Sequence, residues 1–427
     1  MKAINYKKLG ETLFYEKISN GLEVFILPKK GFRKTVATFT AKFGSVDTKF
    51  LLPGKKVPIQ VPDGTAHFLE HKMFDSKKGD VLHSFAEQGA SVNAFTNFTR
   101  TAYTLSATSN INKNIIALID FVQEGYFTDE MVEKEKRIIE QEIRMYDNNP
   151  DWRARFGILE NMYKTHPVKN DIAGTIKSIN QITKEDLYAC YNTFYHPSNM
   201  LLFVIGSVVP DKLLKEIRKN QEEKTFRETG EIYRISAAED VNVNKKSNVM
   251  DISVPIPKVF IGHKEPNAIR QDRKLLNYEL SLNVLFEIMF GESSEAYEKM
   301  YNNGFLSIPF TYDRTNERDF GFSIIGGESQ EPEAIIQIID DTISRFQKES
   351  INKEHAQRVI NKEIGSFLKS INSPQFIANQ FTRYHFNETN LFDTLPTLEN
   401  LSVKDLEEAL HFHFSPGSQT TLVVKET

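Results

Sequence analysis

An order of segments that runs through the chain twice constrains the fold more than any other feature. In the first half, strand patterns over 21–28 and 35–43 lead into segments of helical period, and Met200–Gly206 closes with a continuous apolar run. The second half repeats that order in faded form. A strand at 257–262 precedes a long helix at 274–290, a short helix at 295–302, a strand at 320–325, further helices and a closing strand at 420–424. A unit of about 200 residues is too long for a solenoid repeat. It predicts an α+β protein of two homologous domains, each a mostly antiparallel sheet packed with helices. The Lys-, Glu-, Arg- and Asn-rich stretch Lys212–Asn248 has no strong apolar run after Ile217, so its later part reads as a solvated linker. The expected domains are therefore 1–230 and 231–427.

Composition narrows the function. The 427 residues are 40% hydrophobic and 26% charged, which excludes a mostly disordered chain. The 53 basic and 57 acidic residues leave a net charge of -4, which gives no reason to expect a nucleic acid or an anionic membrane surface as partner. No apolar run approaches the length of a membrane span. Met1–Lys8 leads into no apolar core, so no secretory signal is expected and the cytoplasm is the expected location. Cys190 is the only cysteine. It can form no intrachain disulfide and no thiolate cluster, so a metal site must be built from His, Asp and Glu.

A loop with Pro53, Pro58 and Pro62 precedes Asp63, which stands where an N-cap belongs before Thr65–His71. A second helix is expected from Asp80 to Glu87. A strand pair or one bent strand follows over 90–108, with helices over 114–122, 129–146 and 184–194. In the first of these helices, His67-Phe68-Leu69-Glu70-His71 is the informative segment. Each helical residue turns about 100°, so His67 and His71 share a face at the spacing for two imidazoles to grip one ion. Glu70 lies beside both, while Leu69 and Met73 point towards the core.

A zinc site needs a third protein ligand. Residues 132–143 carry four glutamates. Helical geometry puts Glu135 and Glu142 on one stripe with Met131, Val132, Ile138, Ile139 and Tyr146, and Glu133 and Glu140 near the opposite face. A carboxylate aimed into a core requires a partner. A metal or a metal-bound histidine would serve, and so would Arg144 or another cation.

Three segments together resemble the inverted zinc metallopeptidases, the family of pitrilysin, insulin-degrading enzyme and the mitochondrial processing peptidase. They are His67–His71, Gly89-Ala90-Ser91-Val92-Asn93-Ala94-Phe95-Thr96 and 133–142, with Tyr195–Met200 and Gly206 as further matches. The length is similar to the short bacterial members. The resemblance implies zinc as cofactor, with His67, His71 and Glu142 as ligands, Glu70 as general base and Glu135 as supporting acid. It implies hydrolysis of an internal bond in a peptide or unfolded segment by a metal-activated water. Asn93, Ala94 and Phe95 would lie on an edge strand that pairs with extended substrate.

The second half departs from that pattern. Its corresponding helix, 278–287, has no histidine, and 320–329 holds Phe322 and no tyrosine. The family uses an Arg and a Tyr from a metal-less domain to hold substrate. Arg314 or the pair Arg383 and Tyr384 could serve, or a partner could supply them. A dimer is expected, with a homologous metal-less subunit as one form of it. The rival readings are a non-catalytic or partner-dependent peptide-binding subunit and a metal hydrolase acting on a small molecule. His83, Trp152 and His166 read as packing, surface or loop residues. His411 and His413 could chelate on a strand but read as half-buried surface histidines, and Gly326-Gly327 reads as a turn.

Overall fold

The computed structural model describes residues 1–426 apart from 53, 77–78, 228–229, 237 and 267–271. Pro53 of the expected loop and parts of the expected linker thus lie outside the described residues. The chain forms two compact units. Unit 1 comprises residues 1–145, 170–236 and 373–383, and unit 2 comprises 146–169, 237–372 and 384–427.

Unit 1 is built on Lys2–Tyr6 (β1), Glu11–Lys17 (β2), Glu23–Pro28 (β3) and Thr35–Ala41 (β4). The short strands Lys49–Leu51 (β5), Pro58–Gln60 (β6), Asp75–Ser76 (β7) and Gly79–Asp80 (β8) follow, then Ala90–Thr96 (β9), Thr101–Ala107 (β10), Met200–Gly206 (β11) and Tyr233–Arg234 (β12). The main sheet has the order β1-β2-β3-β11-β4-β10-β9. Every residue of β11 is buried, and the strand pairs parallel with β3 and antiparallel with β4. A continuous apolar run is what a central strand covered on both faces requires.

Unit 2 holds Ser247–Asp251 (β13), Lys258–Lys264 (β14), Ser307–Asn316 (β15), Gly321–Glu328 (β16) and Gln419–Lys425 (β17), in the order β13-β17-β14-β16-β15. Among the described residues, its parallel pair is β13 with β17. The sequence β3-β11-β4-β10-β9 has the same order and the same strand directions, so the repeat read from the segments is a repeat of topology. The protein is α+β, as expected.

The helices of the first half are Thr65–Met73 (α1), Val81–Ala86 (α2), Ile111–Val122 (α3), Asp129–Asp147 (α4), Pro150–Met162 (α5), Ile176–Ile179 (α6), Lys184–Phe194 (α7) and Pro210–Glu222 (α8). Those of the second are Asp272–Phe290 (α9), Glu295–Asn302 (α10), Pro332–Lys348 (α11), Lys353–Ser370 (α12), Pro374–Phe386 (α13), Thr394–Glu399 (α14) and Val403–His413 (α15). None of the described helices is long and apolar enough to cross a membrane.

Two helices join the unit of the other half. The α5 helix belongs to unit 2, where Ile158 and Met162 face Gly262 of β14. From α13, Phe381 belongs to unit 1, with its ring 4.8 Å from Phe25 and 4.6 Å from Phe203.

Several details differ from the sequence reading. The N-cap of α1 is Gly64, not Asp63. Gly64 has φ 89°, and a Cβ there would stand 2.6 Å from the Ala173 carbonyl oxygen, so glycine is dictated by a close approach of two loops. Residues Pro210–Glu222 are helical because Leu213, Leu214, Ile217 and Gln221 form a buried face. Gly326 and Gly327 lie inside β16, paired with Phe260 and Val259, not in a turn. His411 and His413 sit on a helix. His413 is fully buried, with Nε2 2.7 Å from Ser323 Oγ and Nδ1 3.0 Å from Tyr278 Oη, so its polar partners make it a core residue. His166 is buried, and its Nδ1 accepts from the Val168 amide at 3.1 Å.

Candidate metal centre

Two helices and the edge strand of unit 1 meet at the site. Phe68, Leu69 and Met73 bury one side of α1, which turns His67 and His71 the other way. Their rings lie 4.5 Å apart between centroids. On α4, Val132, Glu135, Ile139 and Ile143 are the buried residues. That face fixes the helix so that Glu135 and Glu142 reach the histidines. Ile138 and Met145, beside Glu142, are exposed instead. The helical wheel put Ile138 in the apolar stripe, but α4 has no cover there.

One ligand atom from each of His67, His71 and Glu142 lies within 4.8 Å of the others. His67 Nε2 is 3.7 Å from Glu142 Oε1, and His71 Nε2 is 3.7 Å from Glu142 Oε2. These distances are too long for hydrogen bonds. His71 Nδ1 lies 3.0 Å from Glu135 Oε1. Its other nitrogen thereby keeps a lone pair towards Glu142 when the Nδ1 proton is donated. Lys72 Nζ lies 2.7 Å from Glu135 Oε2.

Glu70 is buried, and Thr96 at the end of β9 donates its hydroxyl to Glu70 Oε2 at 2.6 Å. Among the described residues, the β9 strand is the terminal strand of its sheet and pairs with β10. It carries Asn93, Ala94 and Phe95. Asn93 Oδ1 accepts from the Ala94 amide at 2.9 Å, and the Phe95 ring lies 5.8 Å from the Arg100 guanidinium.

Burial and mutual charge set the protonation of the site. Burial, with the charge of His71, brings the His67 pKa down to about 4 against the pull of Glu142 and Glu135, so the ring is neutral near pH 7. Burial lowers that of His71 too, but the hydrogen bond and charge of Glu135 and the charges of Glu142 and Glu70 outweigh it, and the net shift is upward. Burial pushes Glu70 up, opposed by the Thr96 hydrogen bond. For Glu135, burial acts upward but His71 and Lys72 prevail, and its pKa is lowered.

This donor set fits a divalent cation. Two imidazoles and a carboxylate converge, Glu70 feels the charge of Glu142, and Glu135 is shared by His71 and Lys72. The N, N, O set is a zinc ligand set.

The expected residues His67, Glu70, His71, Glu135 and Glu142 are thus brought together, and Asn93, Ala94 and Phe95 lie on the adjoining strand. Sequence reasoning missed Lys72 and gave Thr96 no role. In unit 2, the long helix α9 after β14 has no histidine, and it carries Asn283 and Glu287 one turn apart. Arg314 donates from Nε and Nη2 to Asn283 Oδ1 at 3.1 and 2.6 Å. Tyr312, which sequence reasoning overlooked beside it, donates to Glu287 at 2.8 Å, and Tyr384 donates to Glu279 at 2.9 Å.

Comparison with known proteins places the whole chain. Residues 61–176 match the family model described as insulinase, peptidase family M16, and residues 181–363 match the model described as the peptidase M16 inactive domain. A Bacillus subtilis (strain 168) protein named uncharacterized zinc protease YmfH is 50% identical over 410 residues, 96% of each chain. An M16-like protein from Alicyclobacillus acidocaldarius superposes with a TM-score of 0.94 at 34% identity, covering 97% of this chain and 98% of that one. A protease from Helicobacter pylori has the same fold, with a TM-score of 0.83 at 20% identity over 97% of this chain and 99% of that one. The chain belongs to the M16 family of peptidases, as one of its short bacterial-type members.

Proposed function

We propose that the chain is a zinc metalloendopeptidase that cleaves peptides or unfolded polypeptide segments. The observation that carries this reading is the convergence of His67, His71 and Glu142 within 4.8 Å, one residue from a buried glutamate held by Thr96. In this reading the two histidines and Glu142 hold the ion. When bound, zinc supplies Lewis acidity, which brings the pKa of a water towards about 7 and polarises a carbonyl. Glu70 accepts the proton of the attacking water and delivers it to the leaving nitrogen. Its burial, which favours the protonated form, suits that return. Thr96 occupies Oε2 and leaves Oε1 for the proton. Glu135 orients His71. The exposed edge of β9 offers backbone groups to an extended peptide, along Asn93, Ala94 and Phe95.

The test is the purified chain alone. We expect stoichiometric zinc and cleavage of a quenched peptide library that chelator abolishes, with Glu70→Gln retaining zinc and losing cleavage. A wild-type chain without zinc would overturn the reading.

A second reading is a partner-dependent subunit. It is favoured by unit 2, where Arg314 is bonded to Asn283 and α9 has no histidine. A dimer with a homologous metal-less chain would then supply the substrate-holding Arg and Tyr. Zinc without cleavage by the chain alone, and cleavage on adding such a partner, would favour it.

A further inference from the structure

Glu135 is gripped from two consecutive residues of α1. Its Oε1 lies 3.0 Å from His71 Nδ1, and its Oε2 lies 2.7 Å from Lys72 Nζ. The Lys72 side chain is 1% exposed. Its ammonium also contacts the Asp75 carboxylate and lies 3.5 Å from the Met131 carbonyl oxygen. A buried ammonium is costly unless it is paired and hydrogen-bonded. Lys72 is therefore fixed by partners on β7 and α4.

We infer that Lys72 is a positioning residue of the metal centre: by binding Glu135 Oε2 it keeps Glu135 as the orienter of His71 and leaves Glu142 as the carboxylate ligand. The inference rests on the zinc reading above. Helix α4 presents two glutamates two turns apart to the same pair of imidazoles. Either could donate an oxygen to a cation, because a carboxylate with a free oxygen close to a divalent ion competes for it. Lys72 decides between them. Both oxygens of Glu135 are engaged, one by each of two side chains that α1 projects about 100° apart. The carboxylate is bracketed and cannot swing towards the histidine Nε2 atoms without giving up a buried ion pair. The two oxygens of Glu142 face the two Nε2 atoms instead, each at 3.7 Å. The same grip holds the Glu135–His71 contact that fixes which imidazole nitrogen donates and which is left to bind metal.

The experiment is a zinc competition titration against a chromophoric chelator on the full chain, paired with the cobalt(II) absorption spectrum. It compares wild type, Lys72→Met, Glu135→Gln, the double variant and Asp75→Asn, each checked for folding by thermal unfolding without metal. Lys72→Met should weaken zinc binding roughly 10–100-fold and alter the cobalt(II) bands. In the Glu135→Gln background the same change should add less than about twofold, because the two residues act through one contact. Asp75→Asn, which leaves the Glu135 pair in place, should stay within about twofold of wild type. Wild-type affinity and spectrum in a folded Lys72→Met chain would overturn the inference, and so would losses that multiply in the double variant. If Lys72→Met does not fold, Lys72→Gln replaces it in the cycle; failure of both to fold would assign Lys72 to stability alone. A wild-type chain that binds no zinc would sink the zinc reading itself, a result distinct from all of these.

Discussion

The Thr96 hydroxyl donates to Glu70 Oε2 at 2.6 Å, which ties the end of the edge strand β9 to the histidine helix α1. A hydrogen bond to a charged group contributes about 1.5–3 kcal/mol. If that bond aims Glu70, Thr96→Val should lower kcat about 10–100-fold while KM and zinc content hold. Valine keeps the branched shape that suits a strand, and Thr96→Ser should restore most of the rate. Steady-state kinetics of both variants check this; a Val variant as fast as wild type would remove Thr96 from the mechanism.

The two glutamates of α4 should behave differently. Glu142→Gln removes the carboxylate that faces both histidine Nε2 atoms and should leave the chain without stoichiometric zinc after dialysis. Glu135→Gln should retain zinc with an affinity weakened roughly 10–100-fold. Metal analysis beside a chelator titration distinguishes them, and the reverse ranking would assign the ligand to Glu135.

Phe381 should matter to the unit remote from it in sequence. It is 3% exposed and packs against Phe25 and Phe203. Phe381→Ala should cost about 3–5 kcal/mol. Hydrogen exchange should show the loss in β3 and β11 of unit 1, although residue 381 lies in the second half. Lost protection confined to unit 2 would contradict the packing described.

Acid should loosen the start of unit 2. The Glu239 carboxylate accepts from Lys264 Nζ at 2.8 Å, and from the amides of Lys164, Thr165 and His166 at 2.9, 2.7 and 2.7 Å. Burial alone would raise its pKa, but these donors together depress it from 4.5 to about 2. A depressed acid pKa contributes stability that is present above the ordinary value and is lost as pH falls through the folded one. The contribution should therefore be complete at pH 7 and vanish between about pH 4.5 and about pH 2. Glu239→Gln leaves the fully buried Lys264 ammonium with the Asp240 and Asn242 carbonyl oxygens but no carboxylate, and should cost about 3–5 kcal/mol at neutral pH. Urea unfolding of both chains at pH 7 and pH 3 checks this: the gap should narrow on acidification, and a constant gap would refute it.

Patterns set by a residue's own neighbours were legible in the sequence. The His67–His71 turn, the continuous β11 run and the wheel that paired Glu135 with Glu142 all follow from local geometry. Features made by distant partners were not. The β1 segment Lys-Ala-Ile-Asn-Tyr carries little alternation, and it is a strand because β2 pairs with it. Asn149 caps α5 through the Asp151 and Trp152 amides, and Pro150 follows in its first turn, so the start of that helix was signalled in the chain although the sequence reading expected no helix there. Its burial in unit 2 was not signalled. The wheel turned Glu135 inward but could not show that its second oxygen meets Lys72, because that contact joins residues 63 positions apart through the packing of α4 on α1. His413 looked like a surface residue until Ser323 and Tyr278 supplied its partners.

The placement of α5 in unit 2 and of residues 373–383 in unit 1 bears on how such a protein can be inherited. A gene split near its midpoint would send Ile158 and Met162 away from the strand β14 that they face. It would also strip Phe25 and Phe203 of the Phe381 ring. Each product would lack a piece of its own core that the other carries. A duplication wired in this way cannot be undone by one cut, and whichever half loses its chemistry must still be kept.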